Sequence, residues 1–377
     1  MIPRYLPSID LAARLRASRA DAGAADRLVA MLARGQAFDG RVAVAALRDG
    51  LNAYFCDLAL RAGSGEILVS AQCCPLVALS ARSAGFTPRF VDIADDRPAP
   101  TGRQFADAIG PSVRGVVVAP LYGHLGESLE TMLAALGERS LLLDLAQGVG
   151  LQTLERLLHR ADAVGWSFGI GKGLDTGGGL LLTRVPLSLS GARHAALGAG
   201  ALVRSAGLRV IAACGLYRMV AQVVERAAEA TPDDFDPRVQ LIEGDRNYEW
   251  WHLRLPAFLE EVEVARRRAV SLGSRFGAHP ALAYAPACFS PDATHLRQII
   301  RITDVSAREV TIERLRRLGI DCARAGEPLP SQYIPGDRGD YPAARRFLAD
   351  AIRLPFLGRL SERQFCYLSD TLERALA

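Results

Sequence analysis

The chain has 377 residues, half of them hydrophobic and 23% charged, which gives ample core and excludes disorder and fibrous structure. No 18-residue stretch is free of charge, and seven cysteines without a secretory leader do not suit a disulfide scaffold, so a soluble protein of a reducing cytoplasm is expected, with no membrane span. The net charge of +4 is spread along the chain, and its arginine runs at 266–268 and 316–317 sit beside glutamates without interleaved aromatics, as solvated helix faces and not as a nucleic-acid surface.

From about residue 40 to 185, short runs of Val, Ile and Leu alternate with helical patterns. The predicted strands are Arg41–Leu47, Glu66–Ala71, Pro88–Ile93, Gly115–Pro120, Leu141–Ala146, Ala163–Phe168 and Gly179–Thr183. Most are continuous apolar runs, as expected of a parallel sheet covered on both faces. Helices at Asn52–Ala62, Pro75–Ala84 and Ser128–Leu136 run into Gly63, Gly85 and Gly137, which suit C-terminal caps. The reading is a doubly wound α/β unit. A long amphipathic helix is predicted over 201–230, followed by a Pro/Asp-rich break at Thr231–Pro237. Beyond it come a helix at Arg254–Phe276, a strand at Leu296–Ile302, a helix at Ala307–Leu318 before Gly319, and two terminal helices. Ser361 and Gln364, at capping-box spacing, open the last of them. These make a smaller α+β unit, so the division expected is 1–237 and 238–377.

The cations carry the most informative count. Lys172 is the single lysine beside 44 arginines. Where arginine has become the default positive charge, a surviving lysine is a candidate for work arginine cannot do, since it can lose its proton and form a Schiff base. Alone it could equally be a leftover surface residue. Its surroundings decide: it follows a strand, in Ser167-Phe-Gly-Ile-Gly-Lys172-Gly-Leu-Asp-Thr-Gly-Gly-Gly179, where open α/β sheets place ligands. Trp166 and Gly173 break a Walker-type phosphate loop, and Leu174 breaks a dinucleotide fingerprint. One strand earlier, Leu141–Ala146 carries Asp144, and a buried carboxylate needs a cationic partner. A pyridinium nitrogen would be one. An isolated Asp144 would read as a turn cap or an arginine partner, and the nearby loop lysine favours the cofactor.

In their order and spacing, Gly65–Ala71 with Ala84–Ile93, Pro120–Gly123, Asp144–Gln147, Ser167–Lys172, His252–Leu255 and Leu354–Leu360 resemble the DegT-type sugar aminotransferases, a branch of the fold-type I pyridoxal-phosphate enzymes. The resemblance runs from about residue 41 to the end. It implies a seven-stranded, mostly parallel sheet sandwiched by helices, with a small C-terminal α+β domain. It also implies pyridoxal 5'-phosphate joined to Lys172 as a Schiff base, Ser167 on its phosphate, Asp144 at the ring nitrogen, Ala146 under the ring and Gln147 near the ring hydroxyl. The helix N-terminus after the first strand would take the phosphate, which maps to Asp49–Asn52 and makes Gly50, Leu51 and Asn52 the expected contacts. Two positions depart from the family pattern. The aromatic ring over the pyridine falls at Gln72–Cys74, with Cys74 in its place, and the asparagine that reaches in from the partner subunit falls on His252. Adjacent Cys73 and Cys74 lack metal-ligand spacing, so no metal is expected.

The function this implies is amino transfer from an amino acid donor to a carbonyl acceptor, a keto sugar or a related intermediate, in a homodimer with a shared site. Two readings stay open: elimination or dehydration on the same cofactor, and a non-catalytic regulator. Dehydratase relatives carry histidine in place of the lysine, so the retained Lys172 favours transamination, and Lys172 together with Asp144 argues against a regulator.

Overall fold

The computed structural model describes residues 1–3, 17, 23–152, 154–189, 191–195, 207, 211, 235–242, 245–284 and 293–376. The helix predicted over 201–230 and most of the break after it lie outside the described residues.

Helix α1 (Ala24–Ala33) leads into β1 (Gly40–Val44) and α2 (Leu47–Ala62). There follow β2 (Glu66–Ser70), α3 (Pro75–Ser83), β3 (Thr87–Val91), α4 (Gly102–Ala108), β4 (Val113–Val118), α5 (Leu129–Leu136), β5 (Ser140–Asp144), α6 (Glu155–Arg160), β6 (Ala163–Ser167) and β7 (Gly179–Thr183). All seven predicted strands are present. Two short strands, β8 (Arg193–Ala195) and β9 (Gln240–Ile242), extend the sheet to the order β3-β2-β4-β5-β6-β7-β1-β9-β8. Strands β2 to β6 pair in parallel, while β7 runs antiparallel to both β6 and β1. Every residue of β5 and β7 is buried, so both faces of the sheet are covered, which is why these strands read as unbroken apolar runs. Several strands end earlier than predicted. Arg41–Leu47 stops at Val44 and Leu141–Ala146 at Asp144, because the last residues leave the ladder for the loops that build the site.

The C-terminal part comprises α7 (Asp245–Phe276), β10 (Leu282–Tyr284), β11 (Gln298–Ile302), α8 (Ala307–Arg317), β12 (Ala323–Arg324), α9 (Pro342–Asp350), β13 (Ala351–Leu354) and α10 (Glu362–Leu376). Its antiparallel sheet has the order β10-β11-β13-β12. Helix α7 begins nine residues before the predicted start. The early stretch holds Tyr248, Trp250 and Trp251, modest helix formers that packing holds in place. The Trp251 ring lies 4.6 Å from Phe168, and Trp251, Phe258 and Leu272 join Leu143, Val164 and Phe168 in one core. Strand β9 pairs with β1 through Leu241 and Val44, so the chain stays on the large sheet past residue 237. The Ser361–Gln364 box forms as its spacing suggests: the Gln364 amide donates to Ser361 Oγ at 3.2 Å, and the Ser361 amide to Gln364 Oε1 at 2.9 Å.

Candidate active site

A cavity of about 270 Å³ opens at the C-terminal ends of β4, β5 and β6, beside the N-terminus of α2. Its walls include Lys172, Asp144, Ala146, Gln147, Ser167, Leu51 and Cys74, which the sequence had suggested, and Ala46, Leu47, Arg48, Gln72 and Cys73 beside them.

The loop that bears Lys172 is fastened on every side. Its ends close on each other, with the Phe168 amide donating to Gly178 O at 2.9 Å and the Gly177 amide to Phe168 O at 2.7 Å. Inside it, the Gly171 amide donates to Asp175 Oδ1 at 2.6 Å and the Lys172 amide to Gly169 O at 3.0 Å. From the C-terminal part, Arg359 donates to Gly173 O and to the Asp175 carboxylate, and Arg297 donates to Gly171 O at 3.2 Å. Trp251 Nε1 donates to Gly177 O at 3.3 Å. Gly173 has φ +106°, and a Cβ there would stand 2.5 Å from the Phe258 ring, so the backbone passes where only glycine fits. The lysine is the free arm of a fixed loop.

Asp144 closes β5. Its Oδ1 accepts the Ala146 amide at 3.0 Å, and it forms no ion pair within 4 Å among the described residues. Burial pushes its carboxyl above the ordinary range, while the Ala146 amide and the Lys172 charge pull it back. Gln147 Oε1 accepts the Tyr122 amide at 2.9 Å, which leaves the amide nitrogen of Gln147 as the group it can donate into the cavity. Tyr122 sits at φ 56°, a left-handed conformation unusual for a tyrosine. Its hydroxyl accepts the Gly326 amide at 2.9 Å.

The helix end lies three residues ahead of the expected register. Helix α2 starts at Leu47, and Asp49 Oδ2, in its first turn, accepts the Ala46 amide at 2.9 Å. The stretch that borders the cavity is therefore Ala46–Arg48. Of the three residues expected there, only Leu51 reaches it. Gly50 faces Leu181, where a Cβ would lie 3.3 Å from the leucine, and the Asn52 amide donates to Asp236 O at 2.8 Å. Asp49 itself is the missed signal: an acidic side chain three residues past a small one marks a helix start.

No aromatic ring lines the cavity among the described residues; Cys73, Cys74 and Val77 occupy that wall. Burial raises both thiols, Cys74 to about 12, so they pack as neutral side chains. His252 lies on α7 and accepts from Arg27 Nε at 3.4 Å; it does not line the cavity of its own chain. Nearby Arg254 is buried, 3.8 Å from Glu261. Sequence reasoning passed over Glu327, a loop residue of the C-terminal part. Its amide donates to Gln72 Oε1 at 2.9 Å, and its carbonyl accepts Gln72 Nε2 at 3.0 Å.

The donor set suits pyridoxal phosphate. It offers a primary amine, a buried carboxylate without an ion-pair partner in the described chain, and a helix end with Arg48 and Ser167 close by for an anion. Comparison with known proteins agrees. Residues 36–195 match the DegT/DnrJ/EryC1/StrS aminotransferase family. All the residues that line the cavity, from Ala46 to Lys172, fall within that span. In fold, the chain is similar to the aminotransferase TlmJ of Streptoalloteichus hindustanus, at 19% identity and TM-score 0.71, over 100% of this chain and 99% of that one. It is similar to Helicobacter pylori PseC, an aminotransferase involved in the biosynthesis of pseudoaminic acid, at 13% and 0.73, over 100% and 99%. It is also similar to the E. coli GDP-4-keto-6-deoxy-D-mannose-3-dehydratase with bound hydrated PLP, at 14% and 0.69, over 99% and 100%. No curated protein matches the chain in sequence.

Proposed function

We propose that this protein is a pyridoxal-phosphate-dependent aminotransferase that moves an amino group from an amino acid donor to a carbonyl acceptor, a keto sugar or a related intermediate. The observation that carries this reading is the pairing of the chain's single lysine with the buried Asp144 in one cavity. When bound, the cofactor supplies an electron sink for the carbon that gains or loses its proton. Lys172 Nζ would hold the cofactor covalently and then carry that proton. The Asp144 carboxylate would keep the ring nitrogen protonated, and the Gln147 amide nitrogen would donate to the ring hydroxyl. The α2 end at Ala46–Arg48, with Ser167, would hold the phosphate. Ala146 and Cys74 would line the ring. Similarity in fold to a dehydratase keeps elimination in view, and the retained primary amine of Lys172 favours transamination over it.

The test is direct. Protein purified with the cofactor should be yellow, and borohydride should fix the label on the peptide bearing Lys172. Addition of amino donors should then convert the visible band to that of the pyridoxamine form. Lys172→Arg keeps the charge and should lose the covalent link. Label recovered on any other residue, or no donor-dependent change across a broad amino acid panel, would overturn the reading.

A further inference from the structure

The turn that follows β4 holds a tyrosine where the chain runs left-handed. Tyr122 has φ 56° and ψ 17°, Gly123 has φ 83°, and the His124 amide donates to Leu121 O at 3.0 Å. Two positive φ in succession make Leu121–His124 a primed turn, of the kind that favours asparagine and glycine. A tyrosine persists there only where its surroundings hold it. Three contacts do so. The ring is buried with Ala71, Ile93 and Phe347, the hydroxyl accepts the Gly326 amide at 2.9 Å, and Gly123 O accepts the Thr294 amide at 3.4 Å. Gly123 is equally confined, since a Cβ there would collide with Thr294 Oγ1.

What this backbone achieves is the direction of one N–H. The Tyr122 amide donates to Gln147 Oε1 at 2.9 Å, and Thr294 Oγ1 donates to Gln147 O at 3.0 Å, so both oxygens of Gln147 are engaged. A backbone N–H can only donate, so it fixes which end of the carboxamide it meets. The Nε2 end is left for the cavity that Gln147 lines.

We propose that Tyr122 is a positioning residue: its left-handed backbone holds the Gln147 carboxamide in one orientation, so that the cavity wall offers the cofactor's ring oxygen a donor and never an acceptor. The inference rests on the pyridoxal-phosphate reading above and deepens it. A donor at the ring oxygen keeps it ionised and leaves it less charge to hold the proton on the neighbouring imine nitrogen. Without that donor the proton is held to a higher pH.

The experiment follows the visible band of the holoenzyme as a function of pH. Placing the α-hydroxy acid analogue of tyrosine at position 122 replaces the N–H by an ester oxygen and keeps the side chain. This variant should raise the midpoint of the band's titration by about one pH unit or more. Tyr122→Val, whose β-branched side chain resists the left-handed region, should do the same, whereas Tyr122→Asn, similar in size and at ease there, should keep the wild-type midpoint. Gln147→Ala should raise the midpoint too, and adding Tyr122→Val to it should change nothing further, because the effect passes through Gln147. Melting temperatures check that each variant is folded, and the ester variant retains the whole buried ring. An ester variant whose band keeps both its position and its midpoint overturns the proposal. So does a Tyr122→Asn that shifts as far as Tyr122→Val, or a double variant whose shifts add. If the wild type acquires no visible band with pyridoxal phosphate, the cofactor reading itself fails, and this proposal with it.

Discussion

Asp144 shows how much one residue's surroundings decide. It ends a strand whose every residue is buried, and the Ala146 amide is the one hydrogen-bond donor described for it. Asp144→Asn keeps size and shape but cannot hold a proton on a ring nitrogen. We expect the variant to bind pyridoxal phosphate and to react with amino donor at least about a hundredfold more slowly, within the range usual for loss of proton control. Stopped-flow absorbance of the donor half-reaction measures it, and a rate within threefold of wild type would assign Asp144 another role. Asp144, Ala146, Gln147, Ser167 and Lys172 were legible because each lies within five residues of a strand end, where chain order fixes position in space. Arg48, Tyr122 and Glu327 were not. Arg48 needed the true start of α2, Tyr122 works through a left-handed backbone, and Glu327 arrives from a region over 150 residues later in the chain, by a contact no local pattern records.

Among the elements, the Lys172 loop owes its shape to glycines with different duties. Gly173 combines a positive φ with the Phe258 ring in the place of its Cβ, whereas Gly63, the cap of α2, has φ +68° and open space around it. Gly173→Ala should therefore cost about 2–4 kcal/mol, backbone strain plus overpacking, and disturb Lys172. Gly63→Ala should cost only about 1 kcal/mol, the conformational part alone. Urea unfolding of both variants compares them, and equal losses would show that Phe258 yields freely. At this scale the strands were read well and their ends poorly. A buried parallel strand announces itself by continuous apolar sequence, but Leu145 is as apolar as Leu143 and only the ladder's end distinguishes them. The early turns of α7 were missed because packing against Phe168, not local propensity, holds them.

At the level of the whole molecule, the question is whether one chain makes a complete site. His252 is the position matched to the family's intersubunit asparagine, and in its own chain it meets Arg27 rather than the cavity. We propose a homodimer in which His252 reaches the phosphate of the partner's cofactor; packing against Arg27 alone is the plain alternative. Lys172→Ala and His252→Ala, each expected to be inactive alone, should recover about a quarter of wild-type activity when mixed in equal amounts under subunit exchange, as expected for a two-fold dimer with one working site per hybrid. No recovery, with exchange demonstrated and both variants folded, would place the site within a single chain.

Gln72 belongs at once to the wall of the cavity and to the clamp on Gly326–Glu327. Occupancy and docking of the C-terminal loop are thereby two sides of one thermodynamic cycle. A ligand that favours the clamped position of Gln72 tightens the seam between the two parts of the chain, and anything that loosens the seam weakens that ligand by the same factor. Mutations far out on the C-terminal sheet thus have a route to cofactor retention without touching a single atom of the cofactor's own pocket.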